Sequence, residues 1–135
     1  MSSELLFRAG IAILMILVGV LAFQTVNRMT LARVESQKNS RFFPAGKPTL
    51  LYFTTPTCAP CKTIQRPAVN LIQDLLGERI QVIEIDATAQ PKLASEWGVL
   101  SVPTTFILDR QGKPRQVNHG IATSEKLQRQ LEEIL

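Results

Sequence analysis

The chain of 135 residues contains only two cysteines and one histidine. Both cysteines, Cys58 and Cys61, lie in a single Cys-x-x-Cys, which excludes a disulfide-stapled scaffold and leaves redox or metal chemistry. Zinc takes four ligands, and two thiols with a distant His119 do not close a tetrahedral site within one chain. Cys61 is followed by Lys62 rather than histidine, so covalent haem attachment is excluded. No stripe of basic residues interleaved with aromatics is present, which argues against a nucleic-acid surface. There is no internal repeat and no low-complexity tract. The length is too short for two ordinary domains but sufficient for one with an appendage.

What the chain does have begins with a hydrophobic run. Residues 9–23 are uninterrupted apolar sequence, and residues 5–7 extend it across Arg8. A spanning helix of about twenty residues follows, with Arg8 snorkelling to the surface. This run inflates the hydrophobic fraction of 45%. The net charge is +4 and the pI about 9.4. The basic residues are scattered or stand just after the apolar run, as juxtamembrane charge does. Residues 1–26 are read first as an uncleaved lipid-bilayer anchor, second as a removed signal segment, and third as a buried helix. Arg28, Arg33, Lys38 and Arg41 follow the run, whereas Arg8 and the amino terminus precede it. That bias favours a cytoplasmic domain, with an extracytoplasmic one as the rival. Residues 27–46 form a polar, basic tether, helical to about Ser36 and broken at Asn39-Ser40 and Phe43-Pro44-Ala45-Gly46.

Residues 47–135 read as one α/β domain. Residues 49–54 form a buried strand of apolar, aromatic and β-branched residues. Residues 59–76 form a helix with Ile64, Ala68, Leu71, Ile72 and Leu75 on its apolar face, kinked by Pro67 and ended by Gly77. Residues 80–86 alternate as a second strand, and residues 91–97 form a short helix. Residues 104–108 form a third strand, followed by a hairpin turn at Asp109-Arg110-Gln111-Gly112 and an edge strand over 114–119. Residues 124–135 form the last helix, capped by Thr123 or Ser124, with Leu127, Leu131, Ile134 and Leu135 facing inward. A helical crossover makes the first two strands parallel, and the tight turn makes the last two antiparallel. The expected fold is a four-stranded mixed sheet with helices on both faces.

Cys58 and Cys61 stand where the first strand hands over to a helix. Residues three apart share a helix face, so the two sulfurs come within disulfide reach. The unpaired N–H groups and positive dipole end of the helix favour a Cys58 thiolate. Such a pair is a dithiol/disulfide exchange centre. The rival reading is a non-catalytic binding module, or a Zn or Cu(I) handler in which two chains pool their thiols.

Cys58-Ala59-Pro60-Cys61-Lys62 after a buried strand, with Val102-Pro103-Thr104 opening a later strand, resembles the thioredoxin family from about residue 49 to the end. Asp109-Arg110-Gln111-Gly112 after Thr104-Thr105-Phe106-Ile107-Leu108 is closer to the membrane-tethered thioredoxin-like proteins. The resemblance implies a thioredoxin-like fold and protein-disulfide oxidoreductase activity without a cofactor or metal. Cys58 would be the nucleophile and Cys61 the resolving thiol. Pro103 would be a cis-proline facing the pair, leaving Val102 free to bind an extended substrate segment. Ala59, Pro60 and Lys62 would support the thiols. Implied partners are protein thiol or disulfide substrates and an electron donor that the sequence does not identify. Ala59-Pro60 is similar to the Gly-Pro of reducing members, which points to a reductant or isomerase.

The chain also departs from the pattern. Tyr52 occupies the place of a buried aspartate that assists proton transfer, and a phenol does not act as a base near neutral pH. Glu84, on the next strand, is the candidate substitute. Thr57 replaces the usual tryptophan before the first cysteine, and Pro67 comes one residue later than in the family.

Overall fold

The computed structural model describes residues 2–36 and 46–135. An N-terminal helix α1 (Ser2–Ser36) precedes strand β1 (Thr49–Thr54). A π-helical turn at Cys61–Gln65 leads into α2 (Arg66–Leu76). Then follow β2 (Gln81–Asp86), α3 (Pro91–Glu96), β3 (Thr104–Leu108), β4 (Pro114–His119) and α4 (Ser124–Glu132). The expected breaks at Asn39-Ser40 and at residues 43–45 lie outside the described residues.

The sheet order is β2-β1-β3-β4. β1 and β2 are parallel, while β3 runs antiparallel to both β1 and β4. The crossover and the hairpin turn require these directions. In the hairpin turn, the Asp109 carboxylate accepts from the backbone N–H of Gln111 and Lys113 at 3.0 and 2.9 Å. It also accepts from Arg115 Nε at 2.7 Å. Gly112 takes a φ of 78°, a conformation that glycine adopts without Cβ strain.

Strand side chains alternate between two cores, as the two-residue period demands. Leu50, Tyr52 and Ile107 pack with Val69, Ile72 and Leu76 of α2 and Leu127 and Leu131 of α4. Leu51, Phe53, Phe106 and Leu108 face the other way, onto Ala94 and Trp97. The Trp97 and Phe106 rings meet edge to face with centroids 5.0 Å apart. All six residues of β1 are buried, which explains its near-continuous apolar sequence. Each fully buried large side chain of this kind contributes about 1.5–3 kcal/mol relative to exposure.

The buried face of the second helix differs from the expected one. Cys61, Gln65, Val69, Ile72 and Leu76 are buried. Ile64, Leu71 and Leu75 stay about half exposed, at 50%, 49% and 57%. The sequence carries two overlapping apolar stripes, and packing against the sheet and α4 selected the one continuous with Cys61. Pro67 lies inside a helix that is continuous from Ala59, directly after the π turn in which Arg66 N–H bonds Cys61 O, so the backbone is already widened where the proline removes a donor.

α1 is one helix of 35 residues, long enough and apolar enough over Ser3–Ala32 to cross a membrane. None of that apolar window is buried inside the molecule, so the buried-helix reading fails. Its C-terminal part does touch the domain. Leu31 packs against the Trp97 cluster, and this end of the helix lies beside β4. This end of α1 is thus a packing element.

Candidate active site

β1 delivers the chain to Thr54, and the Cys58 N–H closes the following turn on Thr55 O at 3.2 Å. The first helical bond, from Lys62 N–H to Cys58 O at 3.3 Å, places both cysteines in the opening turn. Cys58 and Cys61 are joined by a disulfide with their Cα atoms 5.3 Å apart. The Cys61 N–H points at Cys58 Sγ at 3.2 Å. This free backbone donor and the helix dipole favour negative charge on Cys58. Cys61 is wholly buried, whereas Cys58 is partly exposed. Cys58 is therefore the member of the pair that reaches solvent, and Cys61 is shut away from it.

Opposite the pair, the Val102–Pro103 peptide bond is cis. Val102 O lies 3.9 Å from Cys58 Sγ. The loop is pinned on both sides: Gly120 N–H donates to Pro103 O at 2.9 Å, and Thr104 Oγ1 donates to Ser101 O at 2.7 Å. The structure thus brings together Cys58, Cys61, Val102 and Pro103. Ala59, Pro60 and Lys62 are exposed on the same first turn.

Two residues behind the cysteines were not legible as site residues. Gln65 is fully buried, and its side-chain amide grips the backbone of Ala122 at both ends. Nε2 donates to Ala122 O at 3.1 Å, and Ala122 N–H donates to Oε1 at 2.8 Å. A π turn accommodates one residue more than a regular helix, and such turns are frequent at functional sites. The late position of Pro67 was its only trace in the sequence. The second residue is Arg66, whose Nη2 donates to Glu84 Oε1 at 2.6 Å on the surface. Glu84 is thereby engaged by a guanidinium.

Tyr52 is fully buried and donates its hydroxyl to Cys61 O at 3.1 Å. Burial pushes the phenol pKa up, and the Glu84 charge adds to that. It holds the Cys61 backbone as a neutral donor. His119, too distant in sequence to complete a zinc site, is half-buried on β4 with Nε2 unpartnered. Loss of solvation lowers its pKa. Among the described residues, no three His, Cys, Asp or Glu side chains converge as a metal site.

The thioredoxin family model matches residues 29–133. Thioredoxin X, chloroplastic, of Arabidopsis thaliana is 33% identical over 103 residues, covering 75% of this chain and 56% of the relative. The chain thus spans little more than half of that relative's length. A thioredoxin-like protein of Synechocystis is 31% identical over 86 residues, covering 64% of this chain and 80% of the relative. A thioredoxin mutant from Halobacterium salinarum superposes with a TM-score of 0.59 at 25% identity, covering 66% of this chain and 75% of that one. StoA from Bacillus subtilis shares the fold, with a TM-score of 0.53 at 20% identity over 64% of this chain and 83% of its own. On the extent of the family match, from the packed end of α1 through α4, this chain belongs to the thioredoxin family.

Proposed function

We propose that this protein is a membrane-anchored thiol–disulfide oxidoreductase acting on protein disulfides as a reductant or isomerase. In this reading residues 1–26 anchor the chain in the bilayer, residues 27–46 link it, and residues 47–135 carry the chemistry. The observation that carries it is the asymmetry of the pair: Cys58 partly exposed beside Val102, Cys61 buried behind it.

In the reduced enzyme, the Cys58 thiolate attacks one sulfur of a substrate disulfide. The substrate S–S bond breaks, its second sulfur leaves as a thiolate, and a mixed disulfide forms on Cys58. Cys61 then loses its proton and attacks Cys58 Sγ. The Cys58–Cys61 bond forms and the substrate's first sulfur departs as a thiolate. Two electrons have passed to the substrate, and its thiolates take up protons. A dithiol donor restores the pair by the same exchange in reverse. Val102 and Pro103 hold the substrate backbone beside Cys58, and Tyr52 steadies the Cys61 backbone.

The test is a trap. Cys61→Ser should accumulate mixed disulfides on Cys58, visible on non-reducing gels and released by dithiothreitol. Cys58→Ser should form none and should lose insulin reduction. Absence of adducts in Cys61→Ser, or unchanged insulin reduction in Cys58→Ser, would sink the reading.

A further inference from the structure

α1 and the cysteine site meet at one loop. Val26, Met29, Thr30 and Ala32 of α1 line one side of an open groove of about 720 Å³, and Gly98 and Leu100 line the other. Leu100 is 89% exposed. Two residues beyond it stands Val102, whose carbonyl oxygen faces Cys58 Sγ. This part of α1 therefore sits at the cysteine end of the sheet. Further along, the chain reaches the opposite end, where Gly46 N–H donates to Arg110 O at the β3–β4 turn, 2.8 Å away. After Val26 the helix packs on the domain, with Leu31 in the Trp97 cluster and this end of α1 beside β4. The preceding part of α1 extends beyond the cysteine end, and its side chains from Ser3 to Val26 are exposed.

We propose that the lipid surface covers this groove, so that the Cys58–Cys61 pair faces the membrane and acts on disulfides displayed there. The proposal rests on the anchoring reading above. A hydrocarbon core of about 30 Å takes about 20 helical residues. The apolar run ends at Phe23, so Val26 lies one short turn, about 4.5 Å, beyond it. A headgroup layer adds roughly 5–7 Å on each side, which puts Val26 and the neighbouring Leu100 within it. Val26 and Met29, at 50% and 67% exposure, continue the apolar surface of the span onto the domain. Arg28 is exposed between them, at the depth of lipid phosphates.

The helix is also fixed against the domain. Leu31 packs into the Trp97 cluster, and a Cβ at Gly98 would stand 3.4 Å from Thr30 Cγ2. An anchor that continues into a packed helix sets the orientation of the site as well as its location. The substrate class that follows is a membrane-attached protein with a disulfide close to the bilayer surface.

The test uses the full chain in vesicles of phosphatidylcholine and phosphatidylglycerol with brominated acyl chains, which quench indole at the interface. Leu100→Trp should be quenched at least twofold more than Gln111→Trp at the far turn, the native Trp97 being common to both. Equal quenching in chains that float with the vesicles after an alkaline wash would overturn the orientation and leave the anchor standing. Chains that do not float would overturn the anchor, and this proposal with it. In single turnover, the pre-reduced chain should reduce a lipid-linked peptide disulfide on a short spacer several-fold faster than on a long one. Equal rates, or a faster long spacer, would overturn the substrate class.

Discussion

Gln65 holds Ala122 by both ends of its side-chain amide, with bonds of 3.1 and 2.8 Å in a fully buried position. The π turn that carries Cys61 is thereby tied to the loop after β4. That loop also supplies the Gly120 N–H that pins Pro103. One glutamine thus couples the cysteine helix to the segment facing it.

Gln65→Leu should lower stability by about 2–3 kcal/mol, because it strands the N–H and C=O of Ala122 away from water. Urea titration reads this directly. The same variant should raise KM for a protein disulfide several-fold while changing kcat less, since the loop is displaced and the thiols are untouched. A stability within 0.5 kcal/mol of wild type, the range of about ±0.5 kcal/mol expected of neutral surface changes, would contradict the clamp.

Tyr52→Phe removes the hydroxyl bond to Cys61 O and should cost about 0.5–1.5 kcal/mol. The phenol pKa is raised by burial, so the unfolded chain ionises first as pH climbs. The Tyr52 contribution is complete below the unfolded value of about 10 and is lost as pH rises through the folded one. Denaturant midpoints measured from pH 8 to 11 should fall less steeply for Tyr52→Phe than for wild type.

His119 has the opposite sign. Burial lowers its pKa, so below the unfolded value of about 6.5 the unfolded chain binds the proton more readily. Its contribution is present above that pH and is lost as pH falls through the folded pKa. His119→Phe should flatten the decline in stability between pH 7 and 5. An unchanged slope would show that another group carries it.

Asn118 and Gln130 exchange two buried amide bonds of 2.8 and 3.1 Å between β4 and α4. Asn118→Leu alone should cost about 1–3 kcal/mol, because Gln130 is left without its partner. Adding Gln130→Leu should recover part of that loss. A double-mutant cycle on thermal or urea unfolding would measure the coupling.

Much of this protein was legible in the sequence, because the signals concerned are local. Hydrophobic period marked β1 through β4 and the apolar part of α1, and turn residues marked the hairpin at Asp109. The Cys-x-x-Cys spacing marked the pair, since a helix places residues three apart on one face. Tyr52 was readable as core because it stands inside the apolar run of residues 49–54.

Other features depended on contacts between distant segments, which no local period encodes. Two stripes of similar hydrophobicity competed on the cysteine helix, and packing against the sheet and α4 chose the one containing Gln65. Fifty-seven positions separate Gln65 from Ala122, so nothing near either residue announces their bond. The direction in which α1 leaves the domain was likewise settled where Leu31 and Thr30 meet Trp97 and Gly98. An amino-acid order can state that a segment is helical and apolar. Which way that helix points depends on side chains far along the chain, because only the folded sheet brings them into contact.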